Sequence, residues 1–188
     1  MQKEIVKLLK NGYPVVFPSD TLYGIHTPAL NKKSVENVYE IRGRAPQKPF
    51  IILISSLKQL KIFKVRLGKE DTKILNKYWP GKVTIILPCP HREFEYLHRG
   101  LKTLAFRIPK NRNLQNLISK VGPLISTSVN LEGEKPAKTI KQAKKYFGGK
   151  IKFYLDKGKI DGLPSTMISL NKGKTKIVRQ GEVKIDSK

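Results

Sequence analysis

Three clusters in this chain carry residue types that could hold a charged ligand. In TLAFRI at 103–108, alternation along a strand puts Thr103, Ala105 and Arg107 on one face and Leu104, Phe106 and Ile108 on the other. An arginine is thereby presented from a rigid element. Over 125–130 the same arithmetic groups Ser126, Ser128 and Asn130 opposite Ile125, Thr127 and Val129. That row of small hydrogen-bonding groups suits a polar ligand, although from the strands alone a water-facing row fits equally well. The third cluster is Arg42, Arg44 and Lys48 in RGRAPQKP, just past an expected helix. Guanidinium forks match phosphate oxygens and an ammonium adds a compact charge, so the three could neutralise much of a triphosphate. In isolation, a solvated basic turn is the plainer reading of such a triplet.

Several familiar signatures are missing from the sequence: G-x-x-x-x-G-K-[ST], G-x-G-x-x-G, H-E-x-x-H and C-x-x-C. If ATP is handled, another geometry must bind it. Cys89, His91 and His98 fall close together, but three ligands in one proline-containing loop without a fourth are a weak metal signal. No metal site is expected.

Elements must position these side chains, and composition bounds what the elements can be. The 188 residues hold 38 Lys plus Arg against 14 Asp plus Glu, a net charge of +24 that points to polyanion partners, a nucleotide or a nucleic acid backbone. The sign excludes an acidic tail as the main theme. The hydrophobic fraction is 39%, and apolar clusters recur along the whole length, so residues 1–188 are expected to form a single domain with a real core. The longest apolar runs, around Phe50–Ile54 and Val83–Leu87, are of strand length, which argues against a membrane span. With one cysteine, and polar residues throughout the N-terminal stretch where a secretory signal would be apolar, a cytoplasmic location is the default.

Along the chain, Ile5, Val6, Leu8 and Leu9 share helical spacing ahead of Gly12, and Val15–Phe17 reads as a strand between prolines. Asn31 or Ser34 can cap a helix carrying Val35, Val38, Tyr39 and Ile41 that ends at Gly43. The run at 50–54 reads as a buried strand. Helices are expected at 56–62, 70–78, 113–121 and from the Thr139 cap to Phe147, and strands at 83–88, 103–108, 123–130, 151–155, 165–170 and 175–179. The last two should form a hairpin across residues 171–174. Residues 89–100 read as a long loop, a candidate lid. Strands alternating with helices and closed by a hairpin indicate an α/β fold around a mixed sheet.

The pieces PSDTLYGI (18–25), IRGRAPQKPF (41–50), WPGKVTIILP (79–88), TLAFRIP (103–109), STSVN (126–130), LPSTMISL (163–170) and IVRQG (177–181) occur in the order found in threonylcarbamoyl-AMP synthases. The chain resembles the short YrdC/TsaC-type form from about residue 12 to 181. The resemblance implies a YrdC-like domain, a twisted open mixed parallel and antiparallel sheet with flanking helices and a basic concave face. It implies synthesis of threonylcarbamoyl-AMP and pyrophosphate from L-threonine, bicarbonate and ATP, with Mg²⁺ carried by the ATP. The product would feed a threonylcarbamoyl transferase that modifies tRNA adenosine, and tRNA or another RNA could lie on the basic face. By the same resemblance Thr21, Arg107, Ser126 and Ser165 would hold threonine. Arg44, Lys48, Thr103, Ser128, Asn130 and Arg179 would hold the nucleotide, with Arg44 and Lys48 as the catalytic charges.

The chain departs from the family pattern at three places. Arg42 replaces a lysine, Leu53 stands where longer members have a histidine, and Glu132-Gly133 follows Asn130 where a small hydroxyl residue and glycine are usual. Two rivals share the fold: a carbamoyl-adenylate-forming domain that starts from carbamoyl phosphate, and a non-catalytic module that binds double-stranded RNA.

Overall fold

The structure is a computed structural model, and it describes residues 2–43, 45 and 47–185. Helix α1 (Gln2–Lys10) leads into strand β1 (Val15–Pro18), which turns back as β2 (Tyr23–Pro28). Helix α2 (Lys32–Arg42) starts where the Asn31 side chain accepts from the Ser34 N–H and stops at Gly43, whose φ of 56° is left-handed. Strand β3 (Ile51–Leu53), a 3₁₀ turn at Leu57–Phe63, helix α3 (Lys69–Tyr78) and strand β4 (Val83–Pro88) follow. Next come a 3₁₀ turn at Arg92–Phe94, the short α4 (Glu95–His98), β5 (Thr103–Arg107), α5 (Arg112–Val121) and β6 (Leu124–Ser128). The remainder is α6 (Ile140–Phe147), β7 (Phe153–Tyr154) and the hairpin of β8 (Thr166–Asn171) with β9 (Lys174–Arg179). Its two-residue turn, Lys172-Gly173, has φ of 49° and 76°, the signs a twisted hairpin needs.

All nine strands among the described residues join one sheet in the order β7-β1-β2-β6-β3-β5-β4-β8-β9. Pairings β1–β7, β3–β5 and β4–β8 are parallel and the rest antiparallel, the mixed open sheet that the sequence indicates. One face carries Val16, Ile25, Ile52, Phe106 and Ile125 against α2 and α6. On the other face, Ile5 and Leu9 of α1 and Leu114, Leu117 and Ile118 of α5 pack on Val15, Phe17, Leu53 and Leu124. Two residues further along their strands, Ile51 and Ser126 point the same way as Leu53 and Leu124, and these helices do not cover them. The uncovered part of this face becomes the cavity described below.

The structure corrects four sequence expectations. Strand β2 was not foreseen, because YGIHTP lacks the alternation of a half-buried strand; its first five residues are all buried. The stretch expected as a helix at 56–62 is 3₁₀ in geometry. The strand expected at 151–155 pairs over only two residues. Residues 89–100 are not a free loop: a 3₁₀ turn and α4 run through them, Cys89, Phe94, Leu97 and His98 are buried, and none of them lines the cavity described below. His98 Nε2 lies 3.3 Å from the His91 carbonyl and the Cys89 thiol donates to the Phe63 carbonyl at 3.4 Å. Among the described residues no group of His, Cys, Asp or Glu could hold a metal ion. No helix among them is long and apolar enough to cross a membrane.

Candidate functional site

A cavity of about 310 Å³ opens on the uncovered sheet face, walled by the β1–β2 turn, β3, β5, β6 and the β8–β9 hairpin. Each wall begins with a local cause. In the β1–β2 turn the Ser19 hydroxyl donates to the Leu22 carbonyl at 3.0 Å and accepts from the Thr21 N–H at 3.2 Å, folding the turn so that Thr21 faces inward. The two hydroxyls lie 2.9 Å apart. Across from them Arg107, on the last residue of β5, is almost wholly buried, and its Nη1 donates to Thr21 Oγ1 at 3.3 Å.

Arg107 is balanced by Asp20, an acid the sequence reading passed over. Nη2 of Arg107 lies 3.1 Å from Asp20 Oδ1, and the Lys110 N–H holds Asp20 Oδ2 at 2.9 Å. Arg107 Nε and Asp20 Oδ1 are both buried without a hydrogen-bond partner, so their residues meet as an ion pair and not through a hydrogen bond. Burial pulls the guanidinium below its ordinary pKa and nearby Arg179 adds to that, while Asp20 opposes both. An arginine remains cationic regardless, so a desolvated guanidinium lines the cavity.

Ser126 and Ser128 line the cavity from β6, as the alternation requires, whereas the Thr127 hydroxyl turns to the opposite face and accepts from Arg42 Nη1 at 2.6 Å. Arg42 is buried, and its Nε also donates to the Asn130 carbonyl at 2.9 Å. This arginine therefore braces the loop after β6 from behind. Asn130 does not itself line the cavity. Its Oδ1 accepts from Ser128 Oγ at 2.6 Å, and its Nδ2 donates to the Leu131 and Glu134 carbonyls. On the far wall Ser165 Oγ lies 2.8 Å from Thr84 Oγ1, and Arg179 Nη2 donates to the Ser165 carbonyl at 2.8 Å.

The structure thus brings Thr21, Arg107, Ser126, Ser128, Ser165 and Arg179 around one cavity. Thr103 sits on the same strand face as Arg107, four residues earlier, and does not line it. Lys48 pairs with Glu132 beside Pro49, which does line it. Arg44 lies outside the described residues. Beneath the floor, His26 is fully buried, stacked on Phe17 with ring centroids 3.9 Å apart. Burial pulls its pKa down to about 3, with Arg107 adding to the effect against the Phe17 carbonyl. Nothing in the sequence alone marks Asp20, His26 or the bracing role of Arg42, because each acts through a neighbour that only the sheet pairing supplies.

Comparison with known proteins matches residues 7–181 to the Sua5/YciO/YrdC family model, described as "Telomere recombination". Among curated proteins, the threonylcarbamoyl-AMP synthase of Pyrococcus abyssi is 29% identical over 95% of this chain and 53% of its own length. That of Thiobacillus denitrificans is 28% identical over 88% of this chain and 89% of its own. The chain therefore spans about half the length of the Pyrococcus relative and most of the Thiobacillus one. Among solved structures, P. abyssi Sua5 complexed with L-threonine superposes with a TM-score of 0.87 at 28% identity, over 96% of this chain and 54% of that one. E. coli YciO shares the fold, with a TM-score of 0.83 at 23% identity over 96% of this chain and 90% of its own.

Proposed function

The chain belongs to the Sua5/YciO/YrdC family, and from that premise we propose that it is an L-threonylcarbamoyladenylate synthase. It would join L-threonine, bicarbonate and ATP into threonylcarbamoyl-AMP, with pyrophosphate and water released, as a nucleotidyltransferase in tRNA modification. The observation that carries this reading is the buried Arg107 guanidinium lining the cavity, with its Nη1 on the Thr21 hydroxyl. A ligand carboxylate satisfies the first and a ligand hydroxyl can pair with the second. The L-threonine complex of the P. abyssi protein supports the same ligand class.

In this reading threonine's carboxylate sits on Arg107 and its hydroxyl near Thr21 and Ser126, with Ser165 closing the wall. The deprotonated amine attacks the bicarbonate carbon, and loss of water leaves a carbamate. A carbamate oxygen then attacks the α-phosphorus and the bond to pyrophosphate breaks. The protein supplies no covalent intermediate; it aligns the reactants and neutralises charge. By the family resemblance Arg44, Lys48 and Arg179 are the cations on the nucleotide side, with Thr103, Ser128 and Asn130 beside them. Asp20 and Glu132, on segments flanking the cavity, are each engaged by a cation. They offer no resident metal site, and Mg²⁺ would arrive on the ATP phosphates. The product would pass to a threonylcarbamoyl transferase in the cytoplasm, and the +24 charge supports RNA as a further partner.

The test is pyrophosphate release from ATP with threonine and bicarbonate each present or omitted. Release that needs both is expected, and is lost in Arg107→Ala. Release supported instead by carbamoyl phosphate would turn the assignment to the carbamoyl-adenylate chemistry, and no release from folded protein with Mg²⁺ would leave an RNA-binding module.

A further inference from the structure

The proposed reaction brings a polyphosphate to Lys48, yet Lys48 already holds an anion. Glu132 Oε1 accepts from Lys48 Nζ while Glu132 Oε2 accepts from the Ala45 N–H. One carboxylate thus spans a main-chain donor and an ammonium. That pair of donors is what phosphate-binding turns offer to phosphate oxygens.

The carboxylate is held in place by its own loop. The Glu132 N–H donates to the Arg42 carbonyl at 3.3 Å, and the Arg42 side chain in turn grips the Asn130 carbonyl and Thr127. Asn130 ties the loop again through the Leu131 and Glu134 carbonyls. The pair is nevertheless open to ligand, since the Glu132 side chain is 28% and that of Lys48 60% exposed.

We propose that Glu132 sets the nucleotide affinity of this protein: its carboxylate occupies a phosphate position between the Ala45 N–H and the Lys48 ammonium, and ATP binds by exchanging a phosphate for it. The inference rests on reading the cavity as an ATP-dependent site. A phosphate arriving at Lys48 either displaces the carboxylate or lies beside a like charge, and both weaken binding. The family resemblance places a small hydroxyl residue here, which carries no charge to exchange.

Calorimetry with MgATP, inorganic pyrophosphate and L-threonine on wild type, Glu132→Gln and Glu132→Ala tests this. Gln keeps an acceptor for the Ala45 N–H and removes only the charge, so it guards against a loop collapse in the Ala variant. Both variants are expected to bind MgATP and pyrophosphate about 5- to 20-fold more tightly, with threonine affinity unchanged. Equal or weaker phosphate binding in variants with wild-type melting temperature and threonine affinity overturns the inference and makes Glu132 a clasp for Lys48. If wild type binds neither threonine nor MgATP, the synthase reading falls and the inference with it.

Discussion

The Arg107 guanidinium has more donors than the protein uses. Nη1 donates to Thr21, Nη2 forms an ion pair with Asp20 without a hydrogen bond, and Nε is buried and unpaired. An unmade hydrogen bond at a buried charged group costs roughly 1–3 kcal/mol, which a ligand carboxylate can recover. Arg107→Lys keeps the charge beside Asp20 and loses the fork. Threonine affinity should then fall by about 10- to 100-fold in calorimetry; unchanged affinity would remove Arg107 from the ligand. His26 makes a separate prediction. Its ordinary value is 6.5 and burial pulls it to about 3, so between those pH values the unfolded chain takes up a proton that the folded chain refuses. Lowering the pH through that window therefore favours unfolding, by about 1.4 kcal/mol per pH unit well below the upper limit. Urea midpoints between pH 4.5 and 7 should slope less steeply for His26→Gln than for wild type. Equal slopes would mean the folded protein accepts the proton. At this scale the sequence disclosed the arginine and the two serines, because strand alternation is legible. Asp20 was not legible, since its role exists only where β5 meets the β1–β2 turn.

Elements explain where legibility stopped. Helices α2 and α6 carry caps that the sequence marks, at Asn31 and Thr139, and the structure uses both, while the Asn111 cap of α5 lies ahead of the pattern that marks that helix. Strand β2 carries no such mark. Gly24 interrupts it because a Cβ there would meet His26 Nε2 at 2.5 Å, so a packing demand wrote the residue and hid the strand. The segment after β7 shows a similar constraint. A Cβ on Gly162 would stand 2.2 Å from the Thr21 carbonyl oxygen, backbone that cannot step aside. Gly162→Ala should push this segment off the β1–β2 turn and weaken threonine binding by about 10-fold or more, with a stability loss of about 1–3 kcal/mol. Calorimetry and urea unfolding check both, and a fully stable variant with normal threonine binding would show the segment to be slack. The loop expected at 89–100 misled for the opposite reason: its polar residues conceal Phe94 and Leu97, which dock into the core.

Across the whole molecule, charge and topology act together. A net charge of +24 implies that RNA affinity falls steeply with salt, log K against log salt having a slope near minus the number of phosphates contacted. Filter binding of tRNA at two or more salt concentrations should give such a slope, and a flat response would mean the lysines are only a solubilising coat. The cavity is built from turns and strands separated by most of the chain, from Ser19 to Arg179. The sheet shows the same reach, since β1 lies beside β7 and β4 beside β8. Pairings so remote in sequence form slowly, because the loops they close are long.

That topology bears on synthesis at the ribosome. The arginine of β5 and the β1–β2 turn emerge early, but Ser165 and Arg179, which complete the wall, follow only after β8 and β9 have been made. A nascent chain stalled before residue 165 would expose Ile85 and Ile86 of β4 along an unpaired edge, with no β8 to cover it. Until the hairpin docks, β4 is an open edge whose unpaired N–H and C=O groups can take any passing strand as a neighbour.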